Sequence, residues 1–290
     1  RFELLPTLLV EDLFSAPSPR QATLDQIYQY EEDWLQFILL ELKHFFDCHW
    51  FKEHLDTIAP AEVDKKEVYV QEQLVYTLRL YYADNLAGGD LSNPELSNAI
   101  VEQVGEQKKY YRMRYNQRYE VIERKFLIFP QQSGELTIAP QTFSGTIIDS
   151  RLRKRRHVRD NTEAVQVNVL PPASGFTGQT WLPAISLNLT EKWDKPLENV
   201  SVGDSFTRTI SIQALGLLGS ALPPLNLTEN DGFKQYPDQP ATESLEHQAG
   251  VESSRSESIA MVAVKAGTVT LPEIKIPWWD TVNQVERIAV

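Results

Sequence analysis

The sequence has little cysteine and no long apolar run. Cys48 is the single cysteine among 290 residues, so an intrachain disulfide framework and a cysteine-rich zinc or iron–sulfur module are excluded, because each needs several sulfurs. No stretch approaches the roughly 18 consecutive apolar residues of a membrane-spanning helix, and the first residues do not resemble a signal peptide. We therefore expect a soluble chain, or a soluble portion of a longer one, that is stabilised by hydrophobic cores.

Motifs for nucleotide binding and catalysis are also missing. Neither Gly-x-x-x-x-Gly-Lys-Ser/Thr nor Gly-x-Gly-x-x-Gly occurs, so the sequence offers no phosphate-binding loop. Ser220 follows a glycine but lacks the second glycine of a nucleophile elbow. The best metal-binding candidates, whose spacing matches no zinc motif, are His44, Cys48, His49 and His54. We expect no enzymatic activity and no cofactor.

Basic residues are fewer than acidic ones. The chain has 28 Lys and Arg against 40 Asp and Glu, a net charge of −12, which makes nucleic acid an unlikely partner because phosphate binding needs a continuous basic face. Residues 149–160 are the exception, with six basic and two acidic residues. This stretch has almost no apolar content, so we interpret it as a basic linker between two domains.

The first 60 residues follow a helical pattern. Their net charge is −7, from 11 acidic and 4 basic residues, and apolar residues recur at helical spacing from Thr23 to Ile58. Thr23 and Gln26 are suitable for a capping box. The pattern predicts one or two helices that end before Pro60, within an atypical acidic segment at 1–60.

Beyond Pro60 the apolar period changes from 3.6 to 2. Alternation over Glu67–Tyr82 predicts one half-buried strand. Residues 119–129 and 135–138 are predicted to form a hairpin, and residues 86–94 a loop. Alternation resumes after the basic linker, with strands expected around 165–169, 206–212, 259–264 and 269–276. The sequence thus predicts a mainly β fold of two tandem antiparallel β-sandwich domains, at 61–148 and 161–290, after the helical segment.

Two aromatic clusters are candidate interaction sites. Tyr and Arg dominate interface hot spots, and one strip interleaves them at Tyr110, Tyr111, Arg112, Arg114 and Tyr115. The alternative for this strip is a solvated strand pair stabilised by cross-strand stacking. The second cluster is the adjacent pair Trp278 and Trp279. Because neighbouring strand residues point to opposite faces, one ring should be core and the other a contact surface or a plug at a domain interface.

Several segments between Ala59 and Val290 share a specific combination of residues. They are Val63–Lys66, Tyr69–Gln73, Arg118–Arg124, Phe129–Ile138, Leu170–Pro172, Gln235–Pro240 and Leu271–Trp279. In this combination the chain resembles the BatD family, the oxygen-tolerance or aerotolerance proteins of bacteria. Residues 8–58 depart from the family pattern. They are interpreted as a frame-shifted translation, an insertion or a cloning artefact, or else as a lineage-specific helical hairpin that docks a partner.

The resemblance implies immunoglobulin-like β-sandwich domains in the bacterial periplasm. Family members are anchored in the inner membrane by segments that this chain lacks, so it would be an ectodomain fragment. The implied partners are von Willebrand factor A-domain proteins and MoxR-associated membrane proteins, and no catalytic residues are implied. The expected function is a non-enzymatic scaffold or protein-interaction module of an envelope-stress or aerotolerance system. The alternative is a carbohydrate- or peptide-binding module that uses surface Trp and Tyr.

Overall fold

The computed structural model describes residues 57–58, 60–83, 85–114, 117–148, 154–198, 200–225, 230–247 and 249–290, all within one compact unit, Asp56–Val290. This part of the chain is nearly all β-strand and contains no α-helix, which confirms the mainly β prediction. The predicted helical segment lies outside the described residues except at its end. There Thr57–Ile58 forms a strand, so the prediction that the helix reaches Ile58 is wrong.

The first strand group, residues 57–170, forms three sheets. Its strands are β1 (Thr57–Ile58), β2 (Ala61–Val63), β3 (Glu67–Tyr69), β4 (Leu74–Tyr82), β5 (Asn85–Leu91), β6 (Ala99–Arg114), β7 (Gln117–Pro130), β8 (Gly134–Ile138), β9 (Thr142–Ile148), β10 (Arg155–Asn161) and β11 (Val165–Leu170). A five-stranded sheet has the order β1–β4–β7–β6, with β2 also paired to β4. The other two sheets have the orders β10–β9–β5 and β3–β11–β8.

The second strand group, residues 183–289, forms two sheets. Its strands are β12 (Pro183–Ala184), β13 (Ser186–Trp193), β14 (Ser205–Leu215), β15 (Phe233–Pro237), β16 (Ala241–His247), β17 (Gly250–Ala263), β18 (Ile276–Asp280) and β19 (Val285–Ala289). A short 3-10 helix, Gly219–Ala221, follows β14. One sheet has the order β12–β18–β19, and the other has the order β13–β14–β17–β15 with β16 also paired to β17.

Each strand group has its own apolar core. In the first group, alternate residues of β4 are buried against side chains of β7, β8, β9 and β11; they are Leu74, Tyr76, Leu78, Leu80 and Tyr82. The predicted alternation is therefore confirmed for β4. It does not extend back to Glu67 as one strand, because Gln71 adopts a left-handed φ of 65° and turns the chain between β3 and β4.

Two predicted connections in the first group are wrong. β7 and β8 do not form a hairpin: β7 pairs with β4 and β6, whereas β8 pairs with β11 in another sheet. Residues 86–91 belong to strand β5, not to a loop. Glycine is needed in this strand pair because the Phe143 ring packs closely on it. Gly89 of β5 and Gly145 of β9 face each other, and a Cβ at either position would collide with that ring.

Strand pairing continues through the predicted basic linker. Arg155–Asn161 forms β10 and pairs with β9 over seven residues, so this half of the linker is a strand of the first group. Residues 165–170, which we assigned to the second domain, form β11 between β3 and β8. Among the described residues, the first strand group thus ends at Leu170 and not at residue 148.

The second group confirms two predicted strands and corrects a third. Phe206, Ile210 and Ile212 lie in β14 with buried side chains, and the run at 259–263 ends β17. The alternation from Val269 to Ile276, however, is not a strand until Ile276 starts β18. Leu271 and Ile274 still point into the apolar clusters beneath them, and this packing explains the alternating pattern.

Candidate protein-interaction surface

The hairpin of β6 and β7 carries the predicted Tyr and Arg strip. On one face the side chains of Tyr111 and Met113 are each 62% exposed, although Met113 is apolar. The Arg118 guanidinium lies 3.9 Å from the centre of the Tyr111 ring, a cation–π contact that fixes both side chains. An exposed aromatic ring held in one orientation is suitable for contact with a partner.

The other face of the hairpin carries a hydrogen-bonded network. The Tyr110 hydroxyl donates to Glu123 Oε2 at 3.0 Å, and Arg79 Nε donates to the same oxygen at 2.7 Å. Arg79 Nη1 also donates to Glu62 at 2.6 Å. Burial would raise the pKa of Glu123, but the hydrogen bonds from Arg79 and Tyr110 outweigh it and hold that pKa below its usual range. Burial and the Glu123 carboxylate raise the pKa of Tyr110.

The structure therefore divides the predicted strip between two faces. Tyr111 is exposed, whereas Tyr110 is half-buried and bonded to Glu123. Arg112 is exposed and reaches the Tyr81 hydroxyl only at 3.5 Å. Tyr115 and the side chain of Arg114 lie outside the described residues. The sequence analysis missed Arg79 and Glu123. Each is a charged residue at a polar position of a long alternating strand, and this pattern could have identified them.

A bulge separates the exposed half of β6 from the rest. Val104 pairs with Lys125 and Lys108 pairs with Glu123, so β6 contains two more residues than β7 between these pairs. Gly105, at φ 69°, lies in this bulge, and its N–H donates to the Glu246 carboxylate of β16. This bond ties the beginning of β6 to the second strand group and leaves residues 108–114 as the outer part of the strand.

Both tryptophans of the second predicted cluster are buried, so neither provides the exposed ring that the alternative carbohydrate- or peptide-binding function requires. Trp278 is 6% exposed and belongs to the core of the second group. Trp279 is 8% exposed and contacts Tyr69 of the first group, with ring centres 5.9 Å apart. The Trp279 ring also lies 5.9 Å from that of Trp181. Trp279 is thus a plug between the two strand groups.

This junction between the strand groups contains residues that sequence reasoning missed. Trp181 Nε1 donates to the Val70 carbonyl at 2.9 Å. The buried Gln73 amide donates to the Ala249 carbonyl at 2.8 Å and accepts from the Val251 N–H at 2.9 Å. Beside it, an apolar cluster from both groups is formed by Leu127, Phe129, Leu218 and Val251. The sequence feature that could have indicated this junction was the Tyr69–Gln73 segment, which resembles the BatD family.

Residues 194–289 match a family model described as the BatD DUF11 like domain. This part of the chain is similar to the BatD family and is called the BatD domain below. The predicted resemblance is confirmed there, and it stays a prediction for residues 59–193. The BatD domain covers most of the second strand group, from the end of β13 to β19, and includes Trp278 and Trp279.

The chain is also similar to a solved structure, at low sequence identity. The solved structure is a type II cohesin dyad from the adaptor ScaA scaffoldin of Acetivibrio cellulolyticus, similar at 10% sequence identity with a TM-score of 0.21. The match covers 74% of this chain and 88% of that chain. No curated protein matches the sequence.

A cleft of about 430 Å³ lies between the BatD domain and the segment that precedes β12. Segments 177–180, 223–225 and 271–277 line it, and Arg208 projects into it while its Nε donates to Glu191. Among the described residues no three His, Cys, Asp or Glu side chains converge on a possible metal site, and no helix there is long and apolar enough to cross a membrane. The predicted metal candidates, His44 to His54, lie outside the described residues.

Proposed function

We propose that the chain is a non-enzymatic, extracytoplasmic scaffold of a BatD-like system, built from two tandem immunoglobulin-like β-sandwiches. The observation that carries the proposal is the BatD domain at residues 194–289. In this proposal the protein binds other proteins of an envelope-stress or aerotolerance assembly in the bacterial periplasm. Its partners are von Willebrand factor A-domain proteins and MoxR-associated membrane proteins.

The β6–β7 hairpin supports a role in protein binding. Tyr111 and Met113 present apolar surface at an outer strand, and Arg118 orients the Tyr111 ring. On the opposite face, Arg79 and Tyr110 bond to Glu123 and brace the hairpin. A rigid aromatic side chain beside a guanidinium contributes binding energy at low cost in conformational entropy.

The carboxylates with shifted pKa values support a structural role for these groups. Hydrogen bonds hold the pKa values of Glu123 and Asp280 below their usual range in spite of burial. A general acid or base at neutral pH needs a pKa near 7. Both carboxylates are shifted in the opposite direction, so they are suited to permanent ion pairs rather than to proton transfer.

Binding to a purified A-domain protein tests the proposal. The partner is the von Willebrand factor A-domain protein encoded by the organism from which the chain derives, and a photo-crosslinking amino acid replaces Tyr111. We expect a stable complex in size-exclusion chromatography and a crosslink from position 111. The matched control places the same amino acid at Tyr236, a 57% exposed tyrosine of β15, where we expect no crosslink.

Two results would overturn this function. One is the absence of a complex with any A-domain or MoxR-associated protein, both in solution and in membranes prepared from cells that make the protein. The other is catalytic turnover by the purified chain that survives removal of contaminants.

A further inference from the structure

We infer that the outer half of β6, residues 108–114, binds an acidic, extended segment of a partner protein as an added strand. The inference rests on the proposed scaffold function and deepens it by naming the chemistry of the partner. Three features of the hairpin carry it: a strand edge without a neighbour, a concentration of positive charge, and exposed side chains on both faces.

The strand edge supplies the backbone groups. Within the described residues β6 lies at the end of its sheet and pairs with β7 alone. Alternate N–H and C=O groups of an edge strand point away from the sheet and can pair with another extended chain. The Gly105 bulge and its bond to Glu246 interrupt the strand, so the regular edge begins at Lys108.

The charge selects the partner. Between Gln107 and Tyr119 the sequence has five basic residues and no acidic one, although the whole chain has a net charge of −12. Lys108, Lys109, Arg112 and Arg118 are exposed, and in the described part of the chain neither lysine has an ion-pair partner. Such a concentration of positive charge attracts acidic segments and speeds their association.

The same charge argues against pairing of this edge with a second copy of itself. Two β6 edges would bring their lysines and arginines into contact, and like charges on opposed strands are destabilising. Lysine on an exposed edge is a common protection against such self-association. An acidic strand escapes this penalty, because its carboxylates meet the basic side chains.

The exposed side chains provide contacts on both faces of the added strand. Lys109, Tyr111 and Met113 lie on one face of β6, and Lys108 and Arg112 lie on the other, as the alternation of a strand requires. An added segment that alternates Glu with Thr or Val would place its carboxylates beside Lys108 and Arg112. Its apolar residues would lie beside Tyr111 and Met113.

A labelled synthetic peptide tests this. The probe has eight residues and alternates Glu with Thr or Val, and fluorescence anisotropy measures its affinity. We expect Arg112→Glu, on the face that meets the peptide's glutamates, or Tyr111→Ala, on the face that meets its apolar residues, to weaken binding by about tenfold or more, as for loss of a hot-spot contact. The matched controls are Lys192→Glu, on edge strand β13, and Tyr236→Ala, an exposed tyrosine; neither should change the affinity.

A second peptide separates strand addition from simple charge attraction. It keeps the glutamates but has proline at the alternate positions, so it lacks half of its backbone donors. Weaker binding of this peptide, with slowed amide exchange at residues 108–114 on adding the first peptide, is the expected result. Equal binding of both peptides, equal loss in the control variants, or binding to anionic phosphatidylglycerol vesicles instead of the peptide would each overturn the inference.

The outcomes for the two proposals are distinguishable. If Arg112→Glu and Tyr111→Ala leave the complex with the A-domain protein intact, the scaffold function stands and the strand-addition inference fails. If the acidic peptide binds as described but no A-domain or MoxR-associated partner does, the edge site stands and the proposed partners are wrong.

Discussion

Asp280 stabilises the turn between β18 and β19 through an unusually complete set of hydrogen bonds. Its Oδ1 accepts from the backbone N–H groups of Val282 and Asn283, and its Oδ2 accepts from Arg287 Nε at 2.6 Å and from the Asn283 amide. The residue is 3% exposed. Burial alone would raise the pKa of Asp280, but the bonds from Asn283, Arg287 and Val282 outweigh it and lower that pKa.

Asp280→Asn should therefore destabilise the protein in a pH-dependent way. The lowered folded pKa contributes stability above the unfolded pKa of about 3.9, and this is lost as the pH falls through the folded value. At pH 7 we expect a loss of about 1–3 kcal/mol in the free energy of unfolding, because charged hydrogen bonds are removed. The loss should shrink towards zero at acid pH, as measured by urea unfolding.

The exposed Asp238→Asn is the control for this experiment. It changes the same group but should alter stability little at either pH. A loss for Asp280→Asn that is identical at neutral and acid pH would contradict the assigned role of its charge.

The opposite directions of the Trp278 and Trp279 side chains could be predicted from their adjacent positions in a strand. The two-residue period of a strand required Trp278 and Trp279 to face opposite ways, and the structure shows one in the core and one at the junction. The partners of Trp279 could not be predicted, because Tyr69 and Trp181 lie far from it in the sequence. No local pattern records such a contact.

At the scale of elements, the Gly105 bulge determines which part of β6 is free. A left-handed φ is easy for glycine and costs other residues about 1–2 kcal/mol. We expect Gly105→Ala to lower the free energy of unfolding by about 1 kcal/mol, since a Cβ would have room 3.4 Å from Glu246 and only the backbone would be strained. Thermal unfolding monitored by circular dichroism measures the change.

Gly175→Ala is a matched control, because that position has neither a close neighbour nor a positive φ. It should be neutral or slightly stabilising. If both alanine variants behave alike, the left-handed conformation at Gly105 contributes nothing to stability.

Elements were predictable where apolar alternation was strong and unpredictable where glycine or charge obscured it. β4 and β14 have long alternating runs and were found. β5 contains Gly88 and Gly89, and β10 begins with two arginines; both segments have loop or linker composition. They are strands because β9 lies between them and supplies the apolar side chains that they lack.

At the scale of the whole molecule, Gln73 connects the two strand groups. Its buried amide bonds to both Ala249 and Val251, and a Cβ at Gly250 would collide with it. Gln73→Ala leaves the buried Val251 N–H and the Ala249 carbonyl without these bonds. We expect a loss of about 1–3 kcal/mol and the splitting of one calorimetric unfolding transition into two, because the groups then unfold less cooperatively.

Gln166→Ala is the control, since the side chain of this exposed glutamine bonds to Glu135 on the neighbouring strand and to nothing else among the described residues. It should keep a single transition at nearly the same temperature. A single unshifted transition for Gln73→Ala would mean that the apolar contacts alone couple the groups.

The junction also determines which contacts can form only late during synthesis of the chain. Tyr69 and Trp181 are synthesised well before Trp279, the ring that they contact. β12 can pair only after β18 has been synthesised, and β18 follows it by about a hundred residues. Such distant contacts form slowly. Until residues 276–280 leave the ribosome, two aromatic rings and a strand edge stay exposed on a nascent chain whose first strand group is otherwise complete. This interval is when the protein would depend most on a chaperone.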